Sequence, residues 1–267
     1  MTAFSHPEAK KSLGQNFLQD CNLARKIVER LQIEPEDQVW EIGPGPGMLT
    51  GFLIRAAPAA LTLLEKDIYW SAIRRAEGEK QSALSLTVIT GDALRQDWAA
   101  LKDPFKIIGN LPYNIASPLM WNLFSRARGL RRAVFMVQKE VALRVIAPPA
   151  CGQYGSLSIW LQSFCRPRLE FMVPPQVFRP RPKVWSAVLS FEPLSQGSLP
   201  AHPEALSYLL KIFFQQRRKQ IGVIFRRQGH DPALLTKCGI ALSARPEELS
   251  PVCYKELSDI FYRENCI

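Results

Sequence analysis

The run Gly109-Asn110-Leu111-Pro112-Tyr113 closes an apolar, strand-like segment, and its residue types suit one task. A side-chain amide oxygen beside a backbone carbonyl can accept both hydrogens of one exocyclic amine. An amine on a heteroaromatic ring is a poor nucleophile, because its lone pair is delocalised into the ring. Acceptors that draw it toward a tetrahedral shape free that pair for in-line attack on a sulfonium methyl. The Asn110 side-chain oxygen and a carbonyl near Leu111 are the candidate acceptors, and Pro112 fixes the turn. Tyr113 offers a face on which an extruded base can stack. Adenine, with its N6 amine, is the base this arrangement suits. A proline turn beside a core tyrosine has the same letters, so the surroundings must decide.

A second group of residues suits a nucleoside. The strand-like Val39-Trp40-Glu41-Ile42 runs into Gly43-Pro44-Gly45-Pro46-Gly47. Glycines let a chain turn sharply and approach a ligand closely, although a tight strand-to-helix turn needs glycine in any case. The spacing is G-x-G-x-G, not the dinucleotide G-x-G-x-x-G, and two prolines in the loop supply no N–H donors for a phosphate. Glu65 ends the next strand-like run, where a carboxylate can take both hydroxyls of a ribose. Asp92, after Gly91, ends the third and can meet an adenine amine. Three ligand-type features at three consecutive strand ends point to an adenosine-containing cofactor without pyrophosphate. With a methyl-accepting amine beside it, the expected cofactor is S-adenosylmethionine.

The elements that must carry these residues alternate. Leu23, Ile27, Val28 and Leu31 form one apolar helical face behind a cap at Asp20. Strand-like runs follow at 39–42, 61–64, 86–89, 105–108, 133–137, 169–173 and 184–191, with helices expected from near Met48 and from Asp67. Alternation of this kind predicts an α/β fold with a doubly wound, mostly parallel sheet. Only a short proline-rich stretch joins the last two runs, so an antiparallel closing strand is expected there. Residues 193–203 are rich in Ser, Gly and Pro and read as a linker. The expected domains are 1–194, carrying the cofactor and catalytic motifs, and 200–267, a small all-α domain. In the latter, 204–225 reads as one helix, bearing Arg217, Arg218 and Lys219 near Arg226 and Arg227, and Ser243 to Glu248 reads as another helix start.

Bulk properties agree with this reading. The 267 residues suffice for one large domain and a smaller one, and 34 Lys+Arg against 24 Asp+Glu give a net charge of +10, which fits a phosphate-rich partner. The six cysteines include no CxxC pair and no accompanying His cluster, so zinc-ligand spacing is absent and a reducing compartment, the cytoplasm, is expected. His6, His202 and His230 fall in expected loops and read as surface residues. No apolar run suits a membrane span, and the first twelve residues resemble neither a signal peptide nor an organellar leader.

These motifs together resemble the small-subunit (16S) rRNA adenine N6,N6-dimethyltransferase family. Lys11-Ser12-Leu13-Gly14-Gln15-Asn16-Phe17-Leu18 is similar to its N-terminal signature, and Glu41 to Gly47 to its cofactor loop. Asn110-Leu111-Pro112-Tyr113-Asn114 is similar to its catalytic motif, and FMVQKE (135–140) and PPQVFRPRPKVWS (174–186) also match. The resemblance implies a Rossmann-like class I methyltransferase sheet with a helical C-terminal domain. The implied reaction places two methyl groups on each of two adjacent adenines in the 3′-terminal hairpin loop of small-subunit rRNA, within an assembling 30S particle. It also implies that Asn16, Leu18, Gly43, Glu65, Asp92 and Asn110 contact the cofactor. Phe178 would lie on the far face of the target adenine from Tyr113, and the enzyme would act as a monomer. Pro46 stands where the family usually has a less rigid residue. The large-subunit methyltransferase of the macrolide-resistance type shares the cofactor and catalytic motifs, but the long PPxxFxPxPKVxS block and the Leu of NLPY favour the small-subunit enzyme. A mitochondrial transcription-factor relative would carry a presequence, and a DNA adenine methyltransferase would need a target-recognition domain.

Overall fold

The computed structural model describes residues 14–79 and 84–265. Asp20 caps the first helix as its position predicts, its side chain accepting from the Leu23 amide at 2.9 Å. That helix, α1 (Cys21–Glu29), follows a two-residue strand β1 (Phe17–Leu18) and buries Ala24, Ile27 and Val28. Next come β2 (Gln38–Ile42), α2 (Thr50–Ala56), β3 (Ala60–Glu65), α3 (Ile68–Gly78), β4 (Ser85–Thr90), β5 (Phe105–Asn110), α4 (Ala116–Arg126) and β6 (Leu130–Gln138). The chain continues through α5 (Lys139–Val145), α6 (Ser156–Phe164), β7 (Cys165–Val173), β8 (Phe178–Arg179) and β9 (Ser186–Pro193). It ends in α7 (Pro203–Phe214), α8 (Ile221–Arg227), α9 (Ala233–Lys237) and α10 (Pro251–Asn265).

Seven strands form one sheet in the order β4-β3-β2-β5-β6-β9-β7. β2 pairs in parallel with β3 on one side and β5 on the other, β3 with β4, and β5 with β6. The inner strands are apolar along nearly their whole length because helices cover both faces. β9 runs antiparallel to β6, with Ser186 opposite Gln138 and Phe191 opposite Ala133, so the expected closing strand is there. Parallel register brings the C-terminal ends of β2, β3, β4 and β5 to one edge, where ligands of such sheets bind. One pair was not expected: β1 and β8 form a separate antiparallel ribbon, Leu18 opposite Phe178, which ties the N-terminal segment to the proline-rich segment before β9.

The chain divides into two compact units, Met1–Ala142 with Leu169–Phe191, and Leu143–Arg168 with Glu192–Ile267. The second unit therefore takes in α6, which the linker at 193–203 does not predict. Two other expectations need correction. The helix read over 204–225 is broken: α7 stops at Phe214 and α8 begins at Ile221, so Arg217, Arg218 and Lys219 lie in the turn between them. Arg217 is held there by Glu247 at 2.5 Å and by the Cys151 carbonyl at 3.3 Å. The start read at Ser243 to Glu248 is a 3-10 turn at Pro246–Glu248, and the helix itself begins at Pro251, where Ser250 Oγ accepts from the Cys253 amide. His202 and His230 lie in loops as expected, half-buried, and each ring has a partner. His202 stacks on Tyr262 at 3.6 Å, and His230 bonds to the Tyr208 hydroxyl at 2.8 Å while packing edge-on to Phe261. His6 lies outside the described residues. Among the described residues no helix is long and apolar enough to cross a membrane.

Candidate active site

The turn after β2 is built on three left-handed glycines, Gly43 (φ +64°), Gly45 (φ +50°) and Gly47 (φ +89°). A side chain at Gly45 would meet the Phe17 ring at 3.1 Å, and one at Gly47 would overlap the Arg74 guanidinium. All three glycine amides are already engaged: Gly43 donates to the Leu64 carbonyl, Gly47 to the Pro44 carbonyl, and Gly45 to the Glu65 carboxylate at 3.0 Å. The loop therefore has no nest of free glycine N–H groups for a pyrophosphate. Its chemistry agrees with the sequence reading of a nucleoside group without one.

Glu65 is buried at the end of β3. One of its oxygens takes the Gly45 amide and the other the Asp67 amide at 2.8 Å. Burial pushes this carboxyl above its usual range, while the Asp67 and Gly45 amides oppose the shift. Each oxygen has a second lone pair, enough to accept one ribose hydroxyl apiece. Asp92, one strand over, accepts from the Leu94 amide at 3.0 Å and pairs with Lys66 at 2.8 Å. The Lys66 hydrogen bond is the main reason its carboxyl sits below the usual range.

Beyond these acids, β5 ends in Asn110, whose side-chain NH2 donates to the Asn16 carbonyl at 2.8 Å. A carbonyl partner admits only the nitrogen, so this bond fixes which way the amide faces and leaves Oδ1 as the acceptor. Leu111 donates its amide to Met136 on β6 at 3.0 Å, and the Pro112 carbonyl opens α4 by accepting from Ile115 and Ala116. Tyr113 is half-buried, and its hydroxyl bonds Ser186 at 2.8 Å. Burial raises the phenol above its usual range, the Ser186 bond opposing it, so it stays neutral.

Eight of the ten residues singled out in the sequence line one cleft of ≈ 870 Å³, its open mouth included. They are Asn16, Gly43, Glu65, Asp92, Asn110, Leu111, Pro112 and Tyr113. Leu18 and Phe178 are not among its walls. They face one another across the β1–β8 ribbon and are buried in the apolar core with Val173 and Ile27. A ring only 4% exposed presents no free face to a base in this conformation. Gln15, Phe17, Lys66 and Ile115 also line the cleft, and sequence reasoning gave them no role of their own there. Glu41 enters the sequence reading as part of a strand and as the first residue of the segment that resembles the family's cofactor loop, with no role of its own. It is wholly buried, accepts the Thr50 hydroxyl at 2.7 Å, and is pushed up to about 7, chiefly by burial.

A parallel sheet carrying a glycine turn, a buried ribose-type acid, a second acid and an Asn-Pro turn at successive strand ends, closed by an antiparallel last strand, has the form of a Rossmann-like class I methyltransferase. A family model described as ribosomal RNA adenine dimethylase matches residues 7–261. A ribosomal RNA small subunit methyltransferase A from Oleidesulfovibrio alaskensis is 54% identical over 260 residues, 96% of this chain and 92% of that one. One from Nitratidesulfovibrio vulgaris is 52% identical over 249 residues, 92% and 93% of the two chains. The solved dimethyladenosine transferase from Plasmodium falciparum superposes with a TM-score of 0.80 at 24% identity, covering 94% of this chain and 98% of that one. The 23S rRNA methyltransferase ErmE gives 0.67 at 23%, covering 92% and 99%. At such identities the two structures speak for the fold. The chain belongs to the ribosomal RNA adenine dimethylase family.

Proposed function

We propose that the protein places two methyl groups on the N6 amine of each of two adjacent adenosines in the 3′-terminal hairpin loop of small-subunit rRNA. It would do so as a monomer, in the cytoplasm, on the assembling 30S particle. The observation that carries this reading is the Asn110 amide, fixed by the Asn16 carbonyl so that its oxygen remains an acceptor in a cleft that also holds Glu65 and Asp92.

S-adenosylmethionine, when bound, supplies an electrophilic methyl group on a sulfonium. Glu65 would hold the ribose through its remaining lone pairs, and Asp92 the adenine amine of the cofactor. Asn16 and Gly43 would shape the wall between them, and Leu18 would support that wall from the core. Asn110 Oδ1 and the Leu111 carbonyl would accept the two N6 hydrogens of the target and draw its lone pair out of conjugation. Tyr113 would stack on the target base, with Pro112 setting the angle of its ring. Phe178 would serve the far face of that base only after leaving the core. No side-chain base is needed, because an amine that has gained a methyl group releases its extra proton readily.

Primer extension across the rRNAs of a strain lacking the gene tests the assignment. Stops at two adjacent adenosines near the small-subunit 3′ end should disappear in that strain, return with the wild-type gene, and stay absent with Asn110→Ala. Lost stops in the large-subunit rRNA instead would assign the enzyme to the macrolide-resistance type.

A further inference from the structure

Beyond the cleft, one exposed aromatic ring has no role in the chemistry described. Trp185 is 48% exposed, while Ser186, the next residue, is buried. Ser186 opens β9 opposite Gln138 and bonds the Tyr113 hydroxyl at 2.8 Å, and the Trp185 carbonyl accepts from the Lys139 amide at 2.9 Å. The backbone of Trp185 is therefore fixed one peptide unit from a contact of the target-site tyrosine. Its ring is not part of the cleft wall.

The residues before it are Arg179-Pro180-Arg181-Pro182-Lys183-Val184. Arg179, Arg181 and Lys183 are all exposed, and among the described residues no ion-pair partner is found for any of them. Pro182 is buried and Pro180 fixes a further φ, so the segment is an anchored strap that presents cations on alternate residues. Alternating cations ending in an exposed indole match the needs of single-stranded RNA: charge along the backbone and a flat face for a base. A protein partner would also bury the ring, but it would not call for three exposed cations with no ion-pair partner among the described residues beside it.

We infer that Trp185 is a second stacking platform, holding a nucleotide that flanks the target adenine while Arg179, Arg181 and Lys183 follow its phosphates. The inference rests on the reading of the cleft as a site of RNA adenine methylation. It adds a residue that grips the strand outside the pocket, so that one base can be extruded while its neighbour is held.

The test is binding of a dye-labelled RNA hairpin whose loop carries two adjacent adenines, paired with methylation kinetics on small subunits from a strain lacking the gene. Trp185→Ala should weaken hairpin binding by roughly five- to a hundred-fold, the range expected for loss of one base–aromatic stack. The change should appear in KM rather than kcat, with S-adenosylmethionine affinity unmoved, and Trp185→Phe should recover most of it. Hairpins made abasic on either side of the adenine pair locate the stacked base. At the right position the abasic hairpin should bind the wild type as weakly as the intact one binds Trp185→Ala, and combining the two should cost little more. Equal hairpin affinity of Trp185→Ala and wild type would overturn the platform, as would fully additive losses at both positions. So would a defect confined to assembled particles, which would place a ribosomal protein on the ring. Wild-type protein that methylates no small subunits would instead overturn the reading of the cleft, and the platform with it.

Discussion

Glu65 shows how much of one residue's role its position reveals. A carboxylate ending the second strand of such a sheet suggests a ribose ligand, but not that it also holds the loop. Because its oxygens take the Gly45 and Asp67 amides, Glu65→Ala should do two things. It should weaken S-adenosylmethionine binding about ten- to a hundred-fold, the worth of a hydrogen bond to a charged group. It should also cost roughly 1–3 kcal/mol of stability for each buried amide left unpaired. Titration calorimetry and urea unfolding read the two effects, and unchanged cofactor affinity would remove Glu65 from the site. Glu41 was illegible, since an acid inside an apolar strand carries no sequence mark of what faces it. Its carboxyl is pushed up from 4.5 to about 7 in the folded protein. Between those values the unfolded chain has released this proton and the folded one retains it, so this group's contribution to stability must fall as pH rises. The loss is complete above about 7 and is on the order of 3 kcal/mol. Urea unfolding at pH 5 and pH 8 should show this decline in the wild type and a shallower one in Glu41→Gln, which cannot ionise. Equal slopes would mean that Glu41 titrates as an ordinary carboxyl.

At the scale of elements, the inner strands were legible because burial on both faces leaves continuous apolar runs. The ends of β2, β3 and β5 could therefore be placed within a residue or two, whereas β4, an edge strand with no buried residue, was marked by its β-branched residues instead. Short or context-dependent elements were not. The β1–β8 ribbon is only two residues long on each side, and its partners are far apart in sequence, so nothing local announces that Leu18 and Phe178 face each other in the core. Gln215-Gln216-Arg217-Arg218-Lys219 has good helix formers and no Gly or Pro, yet the helix breaks there. Tertiary contacts decide it. Arg217 is drawn to Glu247, and the amides of Ile221 and Gly222 are taken by the Ala244 and Leu242 carbonyls. Gly109 tests the sheet itself. It sits in β5 opposite Ile42, and a Cβ there would lie 2.9 Å from the Ile42 carbonyl oxygen. A backbone atom cannot swing aside as a side chain can, so Gly109→Ala must separate β5 from β2 beside Asn110. The expected cost is about 1–3 kcal/mol, seen as a lower urea midpoint with an unchanged slope. An unmoved midpoint would mean that the strand pair absorbs the added methyl without strain.

For the molecule as a whole, the sequence separated a motif-bearing part from a basic, helical remainder but could not show that α6 belongs with the latter. The change of unit falls inside α5, where no linker composition marks it. The same structure alters which cations of the second unit are available to RNA. Arg217 is engaged within its own unit by Glu247 and the Cys151 carbonyl, so reversing its charge would disturb packing and binding together. Arg218 and Lys219 are exposed in the turn after α7, and Arg226 and Arg227 are exposed at the end of α8. If the turn lies along RNA phosphates, each contact should release about 0.7–0.9 counterion. Arg218→Gln combined with Lys219→Gln should then lower affinity for small subunits and flatten the log–log salt dependence by roughly 1.4–1.8. S-adenosylmethionine affinity and the thermal midpoint should not change, because neither side chain is packed. Binding measured from low to moderate salt for wild type and the double variant decides the matter. An unchanged slope would leave these two cations as a solvated turn and move the search for the backbone contacts to Arg226 and Arg227.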